Sequence, residues 1–186
     1  MHESFDIAKY FPEIDQISDP ALAAAVTRVW NRLWQESTWE SIEDLPVAPN
    51  IPYSHIRHAQ STVRAVLAVT DIFIAMHQVD LDRDLIIAAA ILQDVSKLVE
   101  YRPDQSGGVE QTDLGKRLQH AFYAAHVALD EGLPLDVVHA ILTHSTQSSM
   151  PPRTKEARIL SLIDRADAAA ITDGTHLKRI VMEHAG

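Results

Sequence analysis

The sequence predicts an all-α protein. Apolar residues recur at three- and four-residue intervals along nearly the whole chain, and runs of alternating β-branched residues bounded by turns are missing. Proline, glycine, aspartate and threonine also stand where helices start and stop.

Taken in order, Asp19 and Pro20 open the first clear helix, with Asp19 as N-cap, Pro20 in the first turn, and Ala24, Val29 or Trp30, Leu33 and Trp34 at helical spacing. Trp30 and Trp34 read as a packing stripe or as the seam of a homodimer, in preference to a base-stacking platform. Prolines at 46, 49 and 52 mark a linker, which divides an N-terminal helical arm over 1–50 from a second helical unit over 51–186. A long helix is expected from Tyr53 to His77, with Ala59, Val63, Val66, Leu67, Thr70 and Phe73 on its inner face. The next begins at Asp82 and Asp84, acids that suit the positive end of the helix dipole, and continues through Ile86 to Glu100. Tyr101 to Gln111 reads as a loop turned by Gly107 and Gly108. Thr112 caps a helix running to Glu131, stopped by Gly132. Pro134 opens a short helix ending near His144, residues 145–152 break the pattern, and two last helices are expected over Thr154–Ala170 and Thr175–Glu183.

Composition narrows the function. A chain of 186 residues with 46% hydrophobic content can bury one sizeable core. With 26 acidic against 16 basic residues the net charge is −10, which argues against general attraction to nucleic acid or anionic lipid and leaves only a local basic pocket for an anion. The absence of cysteine excludes disulfides, thiolate ligands and a cysteine nucleophile. No apolar stretch is expected to reach the roughly 18–20 residues of a membrane span, and the N-terminus lacks the pattern of a secretory leader, so the reading is cytoplasmic. Ten histidines are the anomaly.

The run Ile86 to Glu100 carries Gln93, Asp94 and Lys97 inside an apolar helix, and burying such groups without partners is expensive. His58, His120, His144 and Asp164 are further polar residues on apolar helices. Imidazole and carboxylate are the ligands that divalent transition metals accept when thiolates are lacking, and neighbouring helices can point several into one cavity.

This series, QDVSK in an Ala- and Leu-rich helix, a histidine one helix earlier, two separated histidines and then LIDRAD, resembles the HD-domain superfamily over residues 53–170. The resemblance implies a helical bundle with one or two divalent metal ions, among which iron, manganese, zinc, cobalt and nickel are not distinguished. It implies a metal-dependent hydrolase that activates water against a small phosphorylated or anionic substrate. The same shell also serves hydratases, lyases and oxygenases. Carried over, His58 is the first histidine, with His55 a rival three residues earlier. Asp94 is the shared ligand and a catalytic residue, His120 and His144 serve a second metal, and Asp164 closes the set. Lys97, and with it Arg102, would contact substrate phosphate, although an ion pair between Lys97 and Asp94 explains Lys97 equally well.

The departure is Gln93, where the family has the histidine of its His-Asp pair. A neutral carboxamide is the poorer ligand, so the metal held by His58, Gln93, Asp94 and Asp164 should bind more weakly, while Asp94, His120 and His144 still leave positions open to water. Three readings stay open: an enzyme that tolerates glutamine, an impaired module with a binding or regulatory role, or a histidine replaced deliberately. Among the other candidates, Asp167 is expected to pair with an arginine, and His126 to lie in the core or behind a ligand. His77, His139, His176 and His184 are expected at the surface.

Overall fold

The computed structural model describes residues 2–172. A short helix, α1 (Ile7–Tyr10), and a 3-10 turn at Pro12–Gln16 lead into α2 (Pro20–Glu36). Asp19 caps α2 by accepting from the Ala21 N–H at 2.8 Å. The buried face of α2 is Leu22, Ala25, Val26, Val29, Trp30, Leu33 and Trp34. Ala24, expected in that stripe, is exposed, because it lies two residues and about 200° around the helix from Leu22. Phe5 stacks on Trp30 at 4.7 Å, and the arm shares one continuous apolar core with the helices that follow.

Two antiparallel hairpins stand among the helices. One pairs β1 (Pro46–Ala48) with β2 (Ile51–Ser54) inside the proline-marked linker, where two-stranded edges tolerate proline. α3 (His55–His77) then buries Ala59, Val63, Val66, Leu67 and Thr70, while Phe73 is only partly covered. By length and composition alone α3 could cross a bilayer, which corrects the expectation that no segment reaches that length. Its apolar stripe is satisfied within the protein, against the helices over Arg83–Leu92 and Lys155–Ile171.

The helix expected over residues 82–100 is broken. α4 (Arg83–Leu92) ends before Gln93, a tight turn spans Gln93 to Ser96, and α5 (Lys97–Glu100) follows. Within the break the hydrogen bonds shorten to three-residue steps, Val95 N–H to Leu92 O and Lys97 N–H to Asp94 O. The arm holds this segment at both ends. The Trp30 indole N–H donates to the Ile91 carbonyl, and the Trp39 indole N–H to the Tyr101 carbonyl, each at 3.1 Å.

β3 (Tyr101–Pro103) pairs with β4 (Val109–Gln111) where a loop was expected, turned by Gly107 at a φ of 84°. Thr112 does cap a helix, α6 (Asp113–Arg117), but the expected single helix to Glu131 is interrupted before α7 (Phe122–Asp130). Ala121 adopts a φ of 68°, a left-handed conformation that turns the chain immediately after His120. Gly132 ends α7 in that same region. α8 (Leu135–Thr143) and α9 (Lys155–Ile171), capped by Thr154, complete the bundle. The helix expected over Thr175–Glu183, with His176 and His184, lies outside the described residues.

Candidate metal centre

Five of the residues singled out from sequence converge. α3 contributes His58, the tight turn contributes Asp94, the chain before α7 contributes His120, the end of α8 contributes His144, and α9 contributes Asp164. His120 Nε2 lies 2.9 Å and His144 Nε2 3.4 Å from Asp94 Oδ1. His58 Nε2 lies 3.3 Å from Asp94 Oδ2 and 3.1 Å from Asp164 Oδ1. The donors form two groups that share Asp94: Asp94, His120 and His144, and His58, Asp94 and Asp164, each with its ligand atoms within 4.8 Å of one another.

The opposite ring nitrogen of every histidine is fixed by an acceptor. His58 Nδ1 donates to Asp167 at 2.7 Å, His120 Nδ1 to Glu100 at 2.8 Å, and His144 Nδ1 to the Ile141 carbonyl at 2.7 Å. A carbonyl can only accept, so His144 Nδ1 carries a hydrogen and its Nε2 is left directed at the Asp94 carboxylate. A buried carboxylate met by several inward ring nitrogens is a place that a divalent cation can occupy. Outer acceptors that set the tautomer of inward-facing nitrogens are the usual support of metal-ligating histidines, and the donor set here fits a divalent transition metal.

The surrounding carboxylates dominate the electrostatics of the rings. Burial alone would lower the His58 pKa, but hydrogen bonds with Asp164, Asp167 and Asp94 outweigh it and hold the ring up to about 11. His120 is likewise lowered by burial and raised by Glu100 and Asp94, to about 9. Asp94 is pushed up by its burial yet held well below the carboxylate range by Lys97, His120, His144 and His58.

The remaining candidates take other places. His55 is fully buried, and its Nε2 donates to the Asp94 backbone carbonyl at 3.1 Å, while burial depresses its pKa to about 3. It braces the turn and does not face the carboxylates. Gln93 is fully buried, neither atom of its carboxamide finds a partner among the described residues, and it does not line the cavity described below. Lys97 Nζ donates to Asp94 Oδ2 at 2.8 Å, the ion pair weighed as the simpler explanation. Arg102 pairs with Glu110 across the second hairpin and stays outside the cavity.

Two expectations are corrected. Asp167 reaches across to α3, where it binds His58 and Ser61, and it pairs with no arginine among the described residues. His126 is exposed and sits 3.6 Å from Asp130, since α7 turns it away from the core. His77 is exposed as expected, whereas His139 is half-buried and accepts the Arg153 N–H. Sequence reasoning missed Glu100 and Arg165. Glu100 closes the apolar run, and a buried acid at the end of such a run was the available signal.

The centre opens into a cavity of about 470 Å³. One wall is polar, with His58, Asp94, Lys97, His120, His144 and Arg165. The other is apolar, formed by Val47, Ala48 and Ile51 of the first hairpin and by Ala168, Ala169 and Ile171 of α9.

A fold of this kind around a shared histidine and aspartate cluster defines a class, and the family model of the HD domain matches residues 57–169. The chain belongs to the HD-domain family. Among curated proteins it is similar to a dihydroneopterin 2',3'-cyclic phosphate phosphodiesterase of Methanocaldococcus jannaschii, 27% identical over 133 residues, covering 69% of this chain and 53% of that protein. It is also similar to the 3'-5' exoribonuclease YhaM of Bacillus velezensis, 32% identical over 137 residues, and of Bacillus licheniformis, 34% identical over 125 residues. These matches cover 66% and 60% of this chain and 41% and 37% of the relatives, so the chain spans about half their length or less. No solved structure gives a significant match.

Proposed function

We propose that this protein is a metal-dependent hydrolase of small phosphoesters. The observation that carries the reading is the set of three histidines whose Nδ1 atoms are fixed outward and whose Nε2 atoms all face Asp94. His58, Asp94 and Asp164 would hold one divalent ion, and Asp94, His120 and His144 another. Such an ion, when bound, supplies a lowered pKa for water and polarises a phosphoryl oxygen.

The protein's own residues do the rest. Glu100 and Asp167 hold the Nδ1 atoms of His120 and His58, so that their Nε2 atoms stay turned toward Asp94. Lys97 neutralises one oxygen of Asp94 and keeps that buried carboxylate ionised. His55 holds the Asp94 carbonyl and so fixes the turn. The apolar wall excludes water and seats the part of the substrate that is not phosphate. A cavity of about 470 Å³ suits a small molecule, and the net charge of −10 disfavours long polyanions. The relatives named above are called a phosphodiesterase and exoribonucleases, which supports phosphoester chemistry.

A second reading, an impaired module that binds a ligand without turning it over, is favoured by Gln93. The test joins elemental analysis with turnover of phosphomonoesters and phosphodiesters by wild type, Asp94→Asn and Gln93→His. Wild type should retain transition metal after reconstitution and turn over at least one ester class, and Asp94→Asn should lose both. Less than about a tenth of an equivalent of metal in reconstituted wild type overturns the enzyme reading. Metal without turnover favours the binding module. Gln93→His tests whether position 93, next to Asp94, reaches an ion: an imidazole that does so should raise metal retention, and unchanged retention places position 93 outside the ligand set.

A further inference from the structure

Beside the catalytic cavity lies a second recess of about 350 Å³ between the 145–152 segment and α9. Six of its ten lining residues carry hydroxyls, none is acidic, and its one charged group is Arg165. In a chain of net charge −10 that composition selects for an anion. Arg165, Ser145 and Thr146 line both this recess and the catalytic cavity, so the two share a wall.

The groups in the recess are ready to bind. Arg165 Nε donates to the Ser161 carbonyl at 2.9 Å, which fixes the plane of the guanidinium, and among the described residues no carboxylate lies within ion-pair distance of it. Ser161 is only 4% exposed, yet its hydroxyl makes no hydrogen bond among the described residues. The hydroxyls of Thr146 and Ser149 are likewise unpaired there, whereas those of Thr143, Ser145 and Ser148 are engaged with nearby backbone. A hydroxyl on a buried residue, lining an acid-free recess beside an arginine without a carboxylate partner among the described residues, matches the bidentate and hydroxyl donors that bind phosphate.

We infer that this recess is a second anion subsite, in which Arg165, Thr146 and Ser161 hold a phosphate of the substrate other than the one cleaved. The inference rests on the reading of the adjoining cavity as a phosphoester hydrolase site. Preferred substrates therefore carry two phosphates, one at the Asp94 centre and one against Arg165. Arg165 is a specificity residue, and it supplies the anion contact that the ion-paired Lys97 and the distant Arg102 do not.

Binding separates this inference from the hydrolase reading. Calorimetric titration of the metal-reconstituted protein with adenosine 3',5'-bisphosphate, adenosine 5'-monophosphate, adenosine 3'-monophosphate and inorganic phosphate gives four affinities, and turnover is followed separately. The bisphosphate should bind about tenfold or more tightly than either monophosphate, as one charge-assisted bidentate contact implies. Arg165→Ala should reduce that advantage to about threefold or less, and Arg165→Lys should restore part of it because the charge returns without the planar fork. Ser161→Ala, which removes only a hydroxyl, should lower the advantage by about threefold, and thermal melting of each variant verifies folding.

Equal affinities in wild type, no detectable binding of the bisphosphate, or an undiminished advantage in Arg165→Ala overturns the inference. So does inorganic phosphate binding as tightly as the bisphosphate with the same dependence on Arg165, since the recess would then serve free phosphate. If the bisphosphate advantage depends on Arg165 and no probe is turned over, the hydrolase reading fails and the subsite stands.

Discussion

Replacing Trp30 by phenylalanine should destabilise the protein well beyond what its change in size implies. Trp30 is fully buried, and its indole N–H is the donor to the Ile91 carbonyl at the point where α4 gives way to the Gln93–Ser96 turn. Phenylalanine keeps an aromatic ring there and takes the donor away. A buried carbonyl left without its partner costs about 1–3 kcal/mol, and the smaller ring adds about 1 kcal/mol of lost contact. At about 2–4 °C per kcal/mol for a chain of this size, a loss of about 3 kcal/mol lowers Tm by about 6–12 °C. Thermal and urea unfolding followed by circular dichroism measure it. Trp34→Phe is the control, because the Trp34 indole donates no hydrogen bond among the described residues and loses only packing. If the two variants melt within about 2 °C of each other, the Trp30 donor contributes little and the arm does not hold the Asp94 turn.

Other outcomes follow from contacts elsewhere in the molecule. Asp167→Asn should weaken metal affinity about ten- to a hundredfold, because it disturbs the acceptor that fixes His58; chelator competition measures it, and unchanged affinity would remove Asp167 from the centre. Gly115→Ala should destabilise by about 1–3 kcal/mol, since an added Cβ would lie 2.4 Å from the Glu100 carbonyl oxygen; an unshifted urea midpoint would refute that close approach. Asp84 accepts from the Ser18 N–H, the Ser18 hydroxyl and the Asp19 N–H, and these bonds, with Arg83, outweigh burial and hold its pKa below the usual range. Its contribution is therefore present above the ordinary carboxylate pKa and lost as pH falls through the lowered one. The deficit of Asp84→Ala should be about 1 kcal/mol near neutrality and shrink below about pH 4, and a deficit that grows on acidification would contradict the assignment.

The converging residues were legible in the sequence because each breaks an apolar helical pattern with a type that burial alone does not favour. Asp94 within IIAAAILQDVSKLVE and Asp164 within ILSLIDRAD are the clearest instances. Their outer partners were not legible. Glu100 and Asp167 owe their roles to Nδ1 atoms on other elements, a relation that spacing along one helix does not encode. The breaks at Gln93–Ser96 and at Ala121 were hidden for another reason. Ala121 belongs to a type with the highest helix propensity, and tertiary demands override propensity where His120 must reach both Asp94 and Glu100. The hairpins were masked by their shortness, three or four residues per strand, below the length at which alternation can be recognised.

α9 places Asp164 at the metal centre, Arg165 on the wall between two cavities, Asp167 behind His58, and Ala168 and Ile171 on the apolar face. All of these depend on one rotational setting. A single residue inserted or deleted between Ala157 and Asp164 would turn every one of them by about 100° and shift them about 1.5 Å along the axis, while leaving composition and length almost unchanged. Substitutions on the outer face, at exposed Leu162 and Ala166, meet no such constraint. Lineages of this protein should therefore vary freely in the identity of those outer residues and keep the spacing of the helix fixed to the residue.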